Sequence, residues 1–401
     1  MQTRRAIWPV VACAVLAALA WYLARDAAPQ PQVAAMTPTK LQFFGPIPAV
    51  EVPPAARELQ RRQLIEQVRL TDHTYCSYLQ NSRYPHESRP AGHNPDQLYP
   101  NRSLLESNPM RIEGGDSDPS VMLQTTQSRV YLAAGESATL SLRAVDGRGQ
   151  ALPLTVMRAV AQGMSYGAQR PAPRVTLDFA DGGAGAWSAA LTPAQTGLAG
   201  FHGTIRTEVR YHVNGRDGFV LFDVLYSPAL PAVWSGQRRE AREDGSLQFM
   251  LGLDVRQPGR YVVSGRVDDA EGRPFALATF NELLGMGARE VRLTVFGKLL
   301  HDGAPALPLV LRDVDGYLLR ENADPDRLLL PRLEGKVLGS AARSLDGMSN
   351  AEWQSEERSR YLAEYAKDRS AARGRLAQFD PGVELPASAC VSAGEDKAGL
   401  R

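Results

Sequence analysis

The amino-acid sequence predicts a mainly β protein: two tandem β-sandwich domains, preceded by an N-terminal transmembrane helix and bordered by flanking helices. Two observations support this fold class. Between residues 121 and 321, apolar and polar residues alternate in short runs that end at Gly-, Asp- or Pro-containing turns, as antiparallel strands require. The 401-residue chain also contains 35 Gly and 28 Pro, and such an abundance of turn formers is typical of all-β architectures.

The transmembrane helix is predicted at residues 6–24, AIWPVVACAVLAALAWYLA, which carry no charge and follow Arg4 and Arg5. As an α-helix, a run of this length covers about 30 Å, the thickness of a bilayer hydrocarbon core. Trp21 and Tyr22 lie near its end, where amphipathic aromatic side chains favour the membrane interface. Because positive charge precedes the helix, we expect a single-pass anchor whose C-terminal side is exported.

A cleaved signal peptide is the alternative interpretation of residues 1–24. Ala18 and Ala20 form the small-x-small pattern of a signal-peptidase site. The apolar run continues beyond that pattern, further than a signal peptide needs, which favours the uncleaved anchor. Both interpretations export the chain.

Composition implies no nucleic-acid partner and is typical of a bacterial protein. The chain has 45 basic and 44 acidic residues and a net charge of +1, so no basic footprint for nucleic acid is present. Only 5 of the basic residues are Lys, a usage typical of GC-rich bacterial genomes. Together with the predicted anchor at residues 6–24, this leads us to expect the bacterial inner membrane as the location, with most of the chain in the periplasm or outside the cell.

Cysteine usage predicts one disulfide. Cys13 lies within the apolar run, which leaves Cys76 and Cys390 in the exported part. Two cysteines in an oxidising compartment permit a single intramolecular bridge, here between Cys76 and Cys390. Two separate free thiols are the alternative.

The N-terminal flank divides into two segments. Residues 25–54 are rich in Pro and Ala and predict an extended stalk. Residues 55–120 predict a helix, starting at Pro54 and ending near Leu79, followed by a Pro- and His-rich segment that wraps the surface. Regularly spaced prolines in that segment argue against both a helix and the core of a sheet, so we expect no regular structure there.

A metal site is the one chemical hypothesis for the N-terminal flank. Its candidate ligands are His73, Cys76, His86 and His93, because imidazole and thiolate suit zinc or copper. Their spacing matches no compact zinc motif, and a disulfide would remove the Cys76 thiolate. A polar wrapping segment is therefore the favoured interpretation, and we predict no cofactor.

The first β domain is predicted at residues 121–227. Its clearest hairpin is FHGTIRTEVRYHV, followed by the turn formers Asn214 and Gly215. Alternation places His202, His212 and the arginines between them on the polar face, where solvated surface is the expected role. The second β domain is predicted at residues 236–321, where LQFMLGLDV and several later runs alternate in the same way.

The second β domain resembles an immunoglobulin-like module of exported bacterial proteins. The likeness lies in LDV…QPGRYVVSGRVDDAEGRPFALA…LLGMGAREVRLTVFGKLLHDG…LVLRDVDGYLL. The first β domain is similar, more weakly, to β domains of bacterial proteins that carry interchangeable "choice-of-anchor" modules. The resemblance implies fold and export and no activity. One departure is the segment 304–308, which replaces the Gly-Pro-Tyr usual before the last strand.

Residues 322–401 are predicted to form a loop, a helix and a tail. Ser349 and Glu352 form a capping-box pattern, and Pro381 follows a helix that we expect to end near Phe379.

Several motifs of the common enzyme classes are absent from the sequence. It contains no Walker loop, dinucleotide-binding glycine pattern or His-Glu-x-x-His, and we predict no catalytic residues. The expected function is a non-enzymatic, membrane-anchored envelope protein whose tandem domains bind an unknown envelope protein or act as a scaffold. Two alternatives stay open: a metal-dependent enzyme or metal-binding protein at the histidine-rich segment, and a carbohydrate-binding module that uses Trp187 or Trp234.

Overall fold

The computed structural model of the protein describes residues 53–99, 102–112, 114, 116–164 and 173–390. The chain divides into two compact units, residues 1–60 and 61–401. In the first unit, the described residues 53–60 form the beginning of a helix. The predicted transmembrane segment at 6–24 and nearly all of the predicted stalk lie outside the described residues. Of the helices that are described, none combines the length and the apolar character needed to cross a bilayer.

The described residues form three α-helices and twenty strands. The helices are α1 (Pro54–Asn81), α2 (Gly297–Gly303) and α3 (Glu356–Phe379). Strands up to the middle of the chain are β1 (Ser88–Pro90), β2 (Leu104–Arg111), β3 (Ser117–Gln127), β4 (Tyr131–Ala133), β5 (Ala138–Asp146), β6 (Ala151–Leu152), β7 (Leu154–Gly163), β8 (Arg174–Thr176), β9 (Ala180–Asp181), β10 (Ala186–Leu191), β11 (Gly203–Val213) and β12 (Arg216–Ser227). Later strands are β13 (Ala232–Glu243), β14 (Ser246–Val255), β15 (Gly259–Asp268), β16 (Pro274–Leu284), β17 (Gly287–Val295), β18 (Val310–Leu319), β19 (Arg327–Leu329) and β20 (Leu333–Gly339). The predicted mainly β class is confirmed.

Four sheets contain these strands. One has the order β2-β3-β5-β10-β9, with β6 on β5, and another has the order β4-β12-β11-β7-β8. The remaining two have the orders β1-β16-β15-β18-β19, with β20 on β18, and β13-β14-β17. Pairing is antiparallel except between β4 and β12, which run parallel.

Each of two large hydrophobic cores draws side chains from two sheets. In the first core, Leu140 of β5 and Val209 of β11 belong to one cluster of buried residues. In the second core, Leu251 of β14 and Tyr261 of β15 share a cluster in the same way. The apolar positions predicted for β14 are all buried: Leu247, Phe249, Leu251, Leu253 and Val255. Gln248 and Met250 between them are buried as well, so burial alternates only in the second half of the strand.

The segment predicted to lack regular structure contains strands. β1 pairs with β16, and β2 pairs with β3. Both strands lie at the edge of their sheets. Proline has no backbone N–H and cannot donate a hydrogen bond to a neighbouring strand. Pro90 and Pro109 are tolerated because an edge strand has a neighbour on one side only.

Two helix predictions are corrected. Helices were expected only in the flanks, but α2 follows β17 directly and buries Leu299 and Leu300 in the second core. The predicted cap of α3 at Ser349 is also wrong. Ser355 caps the helix, since its side chain accepts a hydrogen bond from the Arg358 N–H at 3.0 Å. The predicted end of α3 at Phe379 is confirmed.

The alternation of β14 generates a test of the fold. Leu251 is 1% exposed, so Leu251→Asp places an unpaired carboxylate in the second core. We expect it to lower the free energy of unfolding by at least about 3 kcal/mol. Arg256→Asp is the control, because Arg256 is exposed in the turn after β14 and the change should leave stability nearly unaltered. Equal losses in chemical denaturation would contradict the register of β14.

Candidate functional site

The outer face of the sheet β4-β12-β11-β7-β8 carries a row of charged side chains. Successive side chains of a strand point to opposite faces of a sheet. On β11, Ile205 and Val209 are buried in the first core. Arg206, Glu208 and Arg210, which alternate with the buried residues, therefore lie on the outer face.

Strand register brings further arginines beside this row. Arg206 lies opposite Gln162 of β7, which in turn lies opposite Arg174 of β8. Arg210 lies opposite Arg158 of β7. Together these side chains define a groove of about 360 Å³. Its lining residues, which we call the arginine groove, are Arg158, Val160, Gln162, Met164, Arg174, Arg206, Glu208 and Arg210.

Two guanidinium groups of the arginine groove have carboxylate partners from the same sheet. Arg206 makes a bidentate contact with Asp223 of β12, with Nε–Oδ1 and Nη2–Oδ2 distances of 2.8 and 2.7 Å. Arg210 Nε donates to Glu208 at 2.7 Å. Ion pairs as exposed as these contribute only about 0–1 kcal/mol to stability. The contacts therefore orient the two arginine side chains but add little to the stability of the fold.

The other two arginines lack a carboxylate partner among the described residues. Arg174 donates to the amide oxygen of Gln162 from Nε at 3.2 Å and from Nη2 at 2.8 Å. For Arg158, which is exposed, the described part of the chain contains no hydrogen-bond or ion-pair partner. Among the described lining residues four are arginines and one, Glu208, is acidic, so positive charge is in excess there and favours anions.

A second charged cluster lies between α1, α3 and the C-terminal tail. Asp72 of α1 is 4% exposed. Its carboxylate accepts from Arg369 Nε at 2.6 Å, Arg373 Nη2 at 2.9 Å, the Ser388 hydroxyl at 3.1 Å and the Ala389 N–H at 2.7 Å. Burial by itself would raise the pKa of Asp72, but the Ala389 and Ser388 hydrogen bonds and Arg369 together lower that pKa below its ordinary value of 3.8.

The two cysteines of the predicted disulfide lie beside this cluster, one on α1 and one in the C-terminal tail. In the structure, Cys76 of α1 and Cys390 of the tail are bonded, with their Cα atoms 4.9 Å apart. Packing supports this arrangement, because Val68 of α1 shares a small buried cluster with Ala372 and Leu376 of α3. The tail is therefore tied to α1 by a covalent bond and by the carboxylate of Asp72.

The predicted metal ligands lie in separate environments. Cys76 is in the disulfide, and His73 is exposed with Nε2 3.4 Å from the Ser77 hydroxyl. His86 lies beside Trp353, with ring centroids 6.3 Å apart, and His93 ends a short 3₁₀ turn. Across the described residues, no three His, Cys, Asp or Glu side chains are grouped so as to hold a metal ion.

The tryptophans proposed for carbohydrate binding use their indole N–H groups inside the fold. Trp187 donates to the Leu154 carbonyl at 2.8 Å, and Trp234 donates to the Pro331 carbonyl at 2.7 Å. Both rings pack against a core. They consequently offer no fully open aromatic face.

His202 differs from its predicted solvated environment. Its Nε2 is buried and has no partner among the described residues, while Nδ1 lies 3.4 Å from Arg320 Nη1. Burial, and then the charge of Arg320, lowers the pKa of His202. His212 is exposed as expected, and its Nδ1 lies 2.7 Å from Asp217 Oδ1 across the hairpin turn.

Comparisons with known proteins give no family. No family model matches the chain, and no curated protein matches it. Among solved structures, a DUF4785 family protein of Legionella pneumophila aligns at 12% identity over 54% of this chain and 57% of that chain, with a TM-score of 0.38. The adhesin InvE of Yersinia pseudotuberculosis aligns at 13% identity over 52% and 58%, with a TM-score of 0.18. The adhesin FdeC of Escherichia coli aligns at 16% identity over 57% and 66%, with a TM-score of 0.19.

These likenesses are too weak to define this chain. The chain spans less than two thirds of the length of each of the three proteins. With every one of the three TM-scores below 0.5, the neighbours define neither its fold nor its function.

The disulfide is tested on the native protein. Peptide mapping without reduction of protein taken from its native compartment should give one cross-linked pair that contains Cys76 and Cys390. Recovery of the Cys76 peptide alkylated without prior reduction would contradict the bond.

Asp72 generates a prediction about stability and pH. Asp72→Asn removes the negative charge of a carboxylate that accepts hydrogen bonds from four donors. We expect the free energy of unfolding to fall by about 2 kcal/mol. Because the folded-state pKa of Asp72 is lowered, its stabilising effect is present above the ordinary carboxyl pKa and is lost as the pH falls through the folded-state value.

The matched control is Glu66→Gln on the same helix, where the side chain is exposed. Denaturant unfolding at neutral pH and again at acidic pH should show a difference between the two variants that shrinks on acidification. A difference that is independent of pH would show that the Asp72 charge does not stabilise the fold.

Proposed function

We propose that this chain is a non-enzymatic, membrane-anchored protein of the bacterial cell envelope that binds a partner protein through the arginine groove. In this proposal residues 6–24 anchor the chain in the inner membrane and the described residues lie on the exported side. Each pair of sheets around a core is an immunoglobulin-like β-sandwich. The observation that carries the proposal is the arginine groove itself, an open cationic concavity on the outer face of a sheet.

The position of the arginine groove suits recognition. Its side chains project from β7, β8 and β11, and β11 is held by a continuous antiparallel ladder to β12 from Gly203 to Val213. Binding residues on such regular elements are positioned more accurately than residues on loops. Arginine is also enriched in the energetically dominant parts of protein interfaces.

Two further features support the envelope assignment. Two sheets that share one core, with strands mostly antiparallel, are the arrangement of a β-sandwich. A disulfide between Cys76 and Cys390 suits an oxidising compartment, because cytosolic proteins rarely keep such bonds.

Site-specific photocrosslinking in intact cells tests the binding role. A photoreactive amino acid placed at Val160, inside the arginine groove, should give a discrete covalent adduct with another protein. The same residue placed at Arg292, exposed on β17 of a different sheet, is the control and should give none. Adducts of equal yield at both positions, or none at Val160, would contradict the proposal.

The same cells test the anchor. The full chain should stay with the membranes after a carbonate wash, because a transmembrane helix resists extraction whereas a peripheral protein does not. Release into the wash would show that residues 6–24 do not anchor the chain, without bearing on the adduct at Val160.

A further inference from the structure

We infer that the arginine groove binds an extended acidic segment of the partner protein, with two acidic side chains separated by three residues. This inference rests on the proposed binding role of the same surface and adds the chemistry of its ligand. It follows from how the charges are spaced along and across the strands.

The arginine groove has a cationic pair at each end. Register places Arg174 and Arg206 in one cross-strand row, with Gln162 between them. Arg158 and Arg210 form another row. Arg206 and Arg210 are four residues apart on β11, which corresponds to about 13 Å along an extended strand. One outward-facing position of β11, that of Glu208, therefore lies between the two cationic pairs.

The middle of the arginine groove has the opposite character. Glu208 lies opposite Val160 in the row between the two cationic pairs. An extended peptide lying along β11 has the same side-chain repeat as the strand beneath it. Acidic side chains at positions i and i+4 would then meet the two ends, whereas an acidic side chain at i+2 would face Glu208 and be repelled. A basic or neutral residue fits position i+2.

The guanidinium groups that meet the ligand are Arg158 and Arg174. Neither is paired with a carboxylate among the described residues, and both are exposed. A guanidinium presents a planar fork of donors that matches a carboxylate bidentately. Asp223 and Glu208 already orient the neighbouring Arg206 and Arg210, so the incoming carboxylates meet a preformed cationic surface.

Other anionic ligands fit this surface less well. None of the eight described lining residues is aromatic, so the arginine groove lacks the ring platform on which sugars and bases stack. A single phosphate is too small to bridge ends about 13 Å apart. Val160 and Met164 give the arginine groove an apolar part that suits the aliphatic stems of peptide side chains.

Binding of short synthetic peptides to the full-length protein in detergent tests the inference. The first peptide carries Glu at i and i+4 and Lys at i+2, in an alternating Thr and Val background. Its isomer has the same composition but carries the two Glu at adjacent positions, which point to opposite faces of an extended chain. By fluorescence anisotropy at low salt, we expect the first peptide to bind at least about tenfold more tightly, and the preference to weaken as salt rises.

Charge reversal locates the binding surface. Arg158→Glu combined with Arg174→Glu should weaken binding of the first peptide at least about tenfold. Arg289→Glu combined with Arg292→Glu, two exposed positions on β17, is the control matched in charge and should leave the affinity unchanged. Thermal unfolding checks that both variants are folded, and the comparison of the two peptide isomers on the unaltered protein needs no variant at all.

Three results would overturn the inference. Equal affinities for the two isomers would show that spacing is not recognised, and equal losses in the two variants would show that attraction is not confined to the arginine groove. Stronger binding of inorganic phosphate or of an acidic polysaccharide at the same arginines would assign a different ligand class. A photocrosslink at Val160 without isomer preference would leave the proposed function standing and remove the peptide inference alone.

Discussion

The register of β11 between β7 and β12 determines both the first core and the arginine groove. Alternate residues of β11, including Ile205 and Val209, fill the core. The residues between them therefore face outward, because successive side chains of a strand point to opposite faces. A slip of one residue would bury Arg206 and Glu208 and expose the apolar set. The buried face therefore fixes the positions of the charged face, and the sheet supplies the rigidity that the exposed arginines lack.

The β region around the first core contacts the β region around the second core near the end of β12. Ser227, the last residue of β12, is fully buried, and its hydroxyl accepts from the Leu329 N–H of β19 at 3.3 Å. Arg129, just before β4, pairs with Glu136 at 3.4 Å and also with Glu334 of β20. Because β4 pairs with β12, these contacts attach the sheet that carries the arginine groove to the second β region at the end remote from Arg210.

Much of the fold was readable from the sequence because alternation is a local signal. The core-facing apolar residues of β14 and the polar row of β11 both follow from the order of the residues, although the burial of Gln248 and Met250 on β14 does not. The partners of those strands do not: nothing near Arg206 in the sequence indicates that Arg174 will lie in the same cross-strand row, because long-range pairing fixes it. Edge strands containing Pro90 and Pro109 were missed for a related reason, since proline argues against a strand until its edge position is known. His202 was expected in solvent, but the loop that contains Arg320 covers it.

The Asp72 cluster and the arginine groove differ in burial, and this difference indicates different roles. Asp72 is enclosed, and its oxygens already accept from two arginines, a hydroxyl and a backbone amide. Displacing these donors would leave the buried carboxylate without its hydrogen bonds, which is costly in a protein interior, so this cluster holds the tail on α1. The Arg206–Asp223 pair has side chains 38% and 46% exposed, and water can replace either partner at little cost. In our proposal, ligand recognition therefore belongs to the arginine groove, whose ion pairs are exposed, and not to the Asp72 cluster.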